Sequence, residues 1–160
     1  MATVSIKGIE RLTQRFNKIA DMELKDTVNK ATQLVHGQAK TLAPADTGQL
    51  RGSIHMQVKN KGNEIEGRVY TNVEYASYVE FGTGIKGNGT YPYHIEGLNL
   101  EYRDKGWAYY DEDKGEWIYT KGQKAQPYMY PALKQNEKTI KRLFKDGVRT
   151  KLKKNCKGGQ

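Results

Sequence analysis

The chain has 160 residues, enough for one domain with a single hydrophobic core, and the low apolar share of 36% points to long peripheral loops around that core. No run of 18 apolar residues occurs, which excludes a membrane-spanning helix, and the start, MATVSIKGIERL, lacks the basic-then-apolar order of a secretory signal. A single cysteine, Cys156, excludes an internal disulfide framework, so synthesis in a cytoplasm is the expectation.

The formal net charge of +9 suggests a nucleic-acid partner when taken as a total. Its distribution says more. From Lys134 to Gln160 ten basic residues stand against two acidic ones, Glu137 and Asp146, so +8 lies in the last 27 residues and the body is close to neutral.

In chain order, Ile9, Leu12, Phe16 and Ile19 fall on one helical face, and after Asp21 a second series begins with Leu24, Val28, Ala31, Val35, Ala39 and Leu42. Pro44 ends this second helix. Gly37 lies inside it at a cost of about 1 kcal/mol relative to Ala, which suggests a close backbone approach there. Next comes APADTGQLRGSI (43–54), where the period changes from 3.6 to 2. Asp46 and Thr47 can bond the backbone, and Gly48 can take a positive φ, so Pro44, Asp46, Thr47 and Gly48 are expected as a structural turn rather than a catalytic triplet. Ile54, Met56 and Val58 then alternate with polar residues. The turn NKGN and the alternating return Ile65, Gly67, Val69 and Thr71 complete an antiparallel hairpin.

VEYASYVEFGTG (73–84) is a short apolar-aromatic piece, and residues 85–105 are turn-rich and unpatterned. GWAYYDEDKGEWIYTKGQ (106–123) has the form of a second hairpin, and AQPYMYPAL leads into a last helix with Leu133, Ile140, Leu143, Phe144 and Val148 on one face. The expected organisation is one α+β domain over 1–146, with a variable loop and hairpin excursion at 85–120, followed by a basic, flexible tail at 147–160. A long N-terminal helix packs on an antiparallel sheet with the last helix beside it.

No catalytic or metal constellation emerges. The histidines are His36, His55 and His94; His36 falls on the helix and His55 on the first strand, neither with Cys, Asp or Glu at ligand spacing, and no paired His motif occurs. GTGIKGNG (82–89) lacks the GK[ST] ending of a phosphate loop, and YDEDKGEW lacks the oxygen order of a calcium loop. Cys156 has neither an oriented base nor a rigid frame. A non-enzyme without cofactor or metal is expected. The aromatic residues Trp107, Tyr109, Tyr110, Trp117 and Tyr119 are candidates for a subunit interface, where Tyr and Trp are enriched; the alternative is that they pack a small second sheet.

Three stretches in order, LAPADTGQLRGSI after a long helix, VYTNVEYASYVEFGTG after a strand and KGQKAQPYMYPAL before a final helix, resemble a known family. It is that of the small head–tail joining (neck or tail-completion) proteins of tailed double-stranded DNA bacteriophages, of the type represented by the tenth gene product of a lambda-like coliphage. The resemblance covers about residues 5–146. On it, Pro44, Asp46, Thr47, Gly48, Leu50 and Ser53 join helix to strand. Tyr75, Ala76, Val79, Glu80, Phe81, Gly82 and Thr83 match the second motif, and Pro127, Met129 and Ala132 the third. The resemblance implies a structural virion protein at the head–tail junction, made in the host bacterial cytoplasm. It would form a homo-oligomeric ring of six or twelve, with other neck, head-closure or tail-tube proteins as partners. Residues 85–120 and the basic tail depart from the pattern. A reading from another class is a sequence-independent nucleic-acid-binding protein using the basic C-terminus. With no aromatic residue after Phe144 to stack on bases, such contact would be non-specific attraction to DNA phosphates.

Overall fold

The computed structural model describes residues 9–45, 48–61 and 64–157. Asp46 and Thr47 of the expected turn, and Gly62 and Asn63 of the first hairpin, lie outside the described residues. The architecture is α+β. In order it has α1 (Ile9–Leu42), α2 (Gln49–Gly52), β1 (Ile54–Lys61), β2 (Glu64–Thr71), α3 (Ala76–Phe81) and α4 (Gly84–Gly87), then β3 (Trp107–Asp111), β4 (Glu116–Thr120) and α5 (Met129–Lys157). β1 pairs with β2 and β3 with β4, giving two separate two-stranded sheets.

Two expectations about helices change. The two N-terminal segments are one helix of 34 residues, uninterrupted at Asp21. Asp in a helix interior costs well under about 1 kcal/mol, and no Gly or Pro lies between Ile9 and Gly37, so nothing there outweighs continuing the backbone hydrogen bonds. The face expected from Ile9, Leu12, Phe16 and Ile19 lies outside the described side chains. At the other end, α5 runs through the segment expected as a tail, as far as Lys157. Lys, Arg and Leu dominate that segment, all good helix formers, and no proline stops it.

The chain groups into two compact units interleaved in sequence. The first takes α1 up to Val35, Met56–Val69 and α5 from Asn136; the second takes His36–His55 and Tyr70–Gln135. In the first unit α1 buries Thr27, Val28, Ala31, Thr32 and Val35. Thr32 Oγ1 donates to the Val28 carbonyl at 2.7 Å, which satisfies the hydroxyl where it is buried. Two other elements approach these residues through glycine. A Cβ on Gly67 of β2 would run into Thr32 Oγ1 and lie 3.0 Å from Val28 Cγ1, and one on Gly147 of α5 would lie 2.6 Å from Thr27 Oγ1. At Gly37, where a close approach was expected, an added Cβ would meet nothing within 4 Å.

In the second unit Ala39 near the end of α1 and Ala43 just after it are buried alongside Leu50, Ile54, Ala76, Tyr128 and Ala132. His36 Nε2 donates to the Ile54 carbonyl at 3.0 Å and Arg51 to the Ala43 carbonyl at 2.9 Å, which ties α1, α2 and the start of β1 together. Gly48 has φ 76°, in the left-handed region, directly before α2. Leu133 and Val148, expected on the buried face of the last helix, are exposed; the buried positions near them are taken by Ala132 and by the close approach at Gly147. Pro131 sits in the first turn of α5, where its missing N–H leaves no intrahelical bond unmade.

Candidate functional site

The second unit brings the three sequence stretches together, and Glu80 is where they join. α3 carries its carboxylate inward to 5% exposure. Oε2 accepts the backbone N–H groups of Tyr128 at 2.7 Å and Met129 at 2.8 Å, and Oε1 accepts that of Tyr130 at 3.1 Å. These donors open α5 and have no partner within the helix, and the positive end of the helix dipole favours a carboxylate. A buried charge is tolerable only when its oxygens are satisfied in this way. Beside it the Gln126 N–H donates to the Val79 carbonyl at 2.8 Å, and Gln123 Nε2 donates to the Tyr78 carbonyl at 3.0 Å.

The GTGIKGNG segment turns out to be packing. Thr83 and Gln123 exchange backbone bonds of 2.9 and 3.1 Å. A Cβ on Gly82 would come 2.7 Å from the Ala125 nitrogen, one on Gly84 2.7 Å from the Lys121 carbonyl oxygen, and one on Gly122 would run into the Thr83 carbonyl. These glycines let two backbones touch. The excursion is anchored by rings: Phe81 packs edge-on to Tyr91 at 5.1 Å, Tyr91 to Tyr93 at 5.6 Å, and Tyr93 tilts on Tyr130 at 5.0 Å. Tyr102 also donates to the Phe81 carbonyl at 2.9 Å. Burial first, and then the negative Glu80, push the Tyr128 phenol up to about 12 and raise that of Tyr91 as well.

An open groove of about 1350 Å³ runs along this junction. Pro44, Gly48, Gln49 and Leu50 line it from the first stretch, Tyr75, Tyr78, Val79, Gly82 and Thr83 from the second, and Gln123 and Gln126 from the approach to α5. Glu101, Tyr102 and Arg103 of the excursion and Trp107 and Tyr109 of β3 complete it. Tyr75 OH donates to Gln49 Oε1 at 3.3 Å across the groove wall, and the Arg103 guanidinium lies 5.5 Å from the Trp107 ring centre. Ser53 Oγ bonds Thr71 Oγ1 at 2.7 Å, within the structural frame. Aromatic rings, amides and one charge of each sign make a surface of the composition found at protein interfaces. The histidines lie elsewhere: His36 on the Ile54 carbonyl, His55 against the Tyr70 ring at 5.9 Å, and His94 in solvent. Among the described residues no three His, Cys, Asp or Glu side chains gather as a metal site would need.

The aromatic candidates of the second hairpin divide by face. Trp107 pairs with Thr120, Ala108 with Tyr119, Tyr109 with Ile118, Tyr110 with Trp117 and Asp111 with Glu116. Alternation puts Trp107 and Tyr109 on the groove face, and Tyr110, Trp117 and Tyr119 on the other. That second face is open: Trp117 is 72% exposed, Tyr119 64% and Tyr110 50%.

Gln123, Gln126, Tyr91, Tyr102 and Arg103 were not singled out from sequence, and Glu80 was marked only as a motif position. One signal was available for Glu80: a lone acid inside the apolar run YVEF calls for buried donors.

Residues 6–82 match a family model named HK97-gp10_like, described as "Bacteriophage HK97-gp10, putative tail-component". The match covers just under half of the chain and takes in the first stretch, the second as far as Gly82, and the groove-lining residues from Pro44 to Gly82. It supports a phage tail-region family and a structural, virion-associated protein. No curated protein and no solved structure gives a significant match.

Proposed function

We propose that the protein is a structural subunit of the head–tail connector region, a neck or tail-completion ring, in a tailed phage or phage-like particle. The match of residues 6–82 to a phage tail-component family carries this reading. What the residues build supports it: a carboxylate spent on holding α5, glycines spent on backbone contacts, and a groove lined by aromatic rings and amides. On this reading the protein acts by contact, without cofactor or chemistry, as a ring of six or twelve copies touching other neck, head-closure or tail-tube proteins.

Deleting the gene tests it. Filled heads and free tails that fail to join, with joining restored by adding the purified protein, are expected. A density map of the particle should place the chain at the head–tail junction. Complete, infectious particles made without the protein, or density elsewhere in the particle, overturn the proposal.

A further inference from the structure

α5 carries a basic stripe. At 100° per residue, Lys138, Arg142, Lys145 and Arg149 fall within a narrow arc on one side of the helix, spread over roughly 16 Å of its length. All four are exposed, and among the described residues none has an ion-pair partner. Lys141, beside them, is paired with Glu137 at 2.6 Å. Ile140, Leu143 and Phe144, all half-buried, lie on the opposite side.

The tip of the second hairpin has the opposite sign. Glu112, Asp113 and Glu116 are exposed, and no ion pair engages them among the described residues. Lys114, the one cation there, is held by Asp111 at 3.5 Å. Asp111 and Glu116 also lie opposite each other across the two strands, at the groove side of the tip, a like-charge pairing of which Lys114 engages only the Asp111 member. Next to this acidic tip stands the open face of Tyr110, Trp117 and Tyr119, with the first two rings packed edge-on at 5.7 Å. A two-stranded hairpin with an exposed aromatic face is marginal by itself. Carboxylates beside open indole and phenol faces suit one kind of partner, a row of lysines and arginines, because these cations pair with the acids and also lie over the rings.

We infer that the β3–β4 hairpin of one copy docks on the α5 stripe of a second copy. A chain of net charge +9 repels its own copies, and the hairpin tip is where the local sign reverses. Each copy gives a hairpin and receives one, so the contact is head-to-tail and closes into a ring when the rotation allows. The inference deepens the oligomeric part of the proposed function and rests on it.

Two charge-reversed chains test it: one with Glu112→Lys, Asp113→Lys and Glu116→Lys, the other with Lys138→Glu, Arg142→Glu and Lys145→Glu. All six positions are exposed, and circular dichroism checks that both chains fold. Self-association is read by native mass spectrometry and sedimentation across a salt series. The wild-type chain should associate at low salt and dissociate as salt rises, because exposed charges are screened beyond about 8 Å at physiological ionic strength. Each reversed chain should need at least about tenfold more protein to associate, since like charges then face each other. An equimolar mixture of the two should associate again, in alternating and therefore even-numbered oligomers, because each contact regains opposite signs. A wild-type chain that is monomeric at low salt, oligomers indifferent to both reversals, or no recovery in the mixture overturns the docking. So does duplex DNA binding that is lost in the second chain while self-association is unchanged, which would assign the stripe to phosphate contacts. Placement of the protein in the particle is measured separately, so failure of the docking leaves the test of the proposed function intact.

Discussion

Replacing Glu80 by Ala removes the acceptor of three backbone N–H groups at 2.7, 2.8 and 3.1 Å and leaves the first turn of α5 without a cap. A hydrogen bond to a charged group contributes about 1.5–3 kcal/mol, so the gross loss is about 5–9 kcal/mol. Removing the carboxylate also removes several kcal/mol of its desolvation cost, which brings the net loss to about 3–5 kcal/mol. That is a large fraction of the roughly 5–15 kcal/mol by which domains are stable. Glu80→Gln separates charge from geometry. Its amide oxygen can replace Oε2 and keep the Tyr128 and Met129 donors, while its NH₂ then confronts the Tyr130 N–H. One bond is lost and two are weakened, for about 2–3 kcal/mol. Urea unfolding followed by far-ultraviolet circular dichroism measures both. A loss below about 1 kcal/mol for Ala, or equal losses for Ala and Gln, would refute the view that Glu80 holds α5 by charge-assisted bonds.

Gly67→Ala should destabilise the first unit by about 1–3 kcal/mol through the clash with Thr32 and Val28, and adding Thr32→Ala should recover part of this; equal stability of the single variant and wild type in urea would deny the close approach. Gly48→Val should cost about 1–3 kcal/mol because φ 76° strains a β-branched residue, while Gly37→Ala should be neutral or stabilising in the same assay. Stability should fall as pH rises from about 10 to 12: Tyr128 is neutral in both states below its ordinary value of 10.0, and above it the unfolded chain ionises first, which favours unfolding by about 2–3 kcal/mol by pH 12. Tyr128→Phe should lose less stability over that window, and parallel wild-type and variant curves would remove burial of this phenol as the cause.

What could be read from the sequence was what repeats along the chain. Val28, Ala31, Val35 and Ala39 recur at threes and fours and are buried on α1; β3 and β4 lie within the stretch 106–123, on either side of the turn at 112–115. Such periodicity is local, so one chain suffices to show it. The reason for a glycine or a buried acid lies on another element. Gly37 and Gly67 look alike in sequence, yet only Gly67 faces Thr32 and Val28. Glu80 is satisfied by residues 48 to 50 positions further on, a pairing that no local pattern encodes. The continuity of α1 at Asp21 was misread for a related cause. The apolar spacing slips there from three and four to five, but a slip in the face does not end a helix when nothing competes for its backbone bonds.

The same distinction governs how the basic end of the chain should be studied. As a flexible tail it could be cut away after Phe144, and any change in assembly would report on charge alone. α5 instead continues to Lys157, and Gly147 lies against Thr27, beyond that cut. Truncation would therefore remove a packing contact of the first unit together with Lys145 and Arg149, and a loss of assembly could come from either. Lys138, Arg142, Lys145 and Arg149 point away from the half-buried side of the helix, so changing their charge leaves the packing at Gly147 in place. Reversing the stripe and the hairpin separately and then mixing the two chains isolates electrostatics: recovery in the mixture requires that both chains are folded and that opposite signs meet between copies.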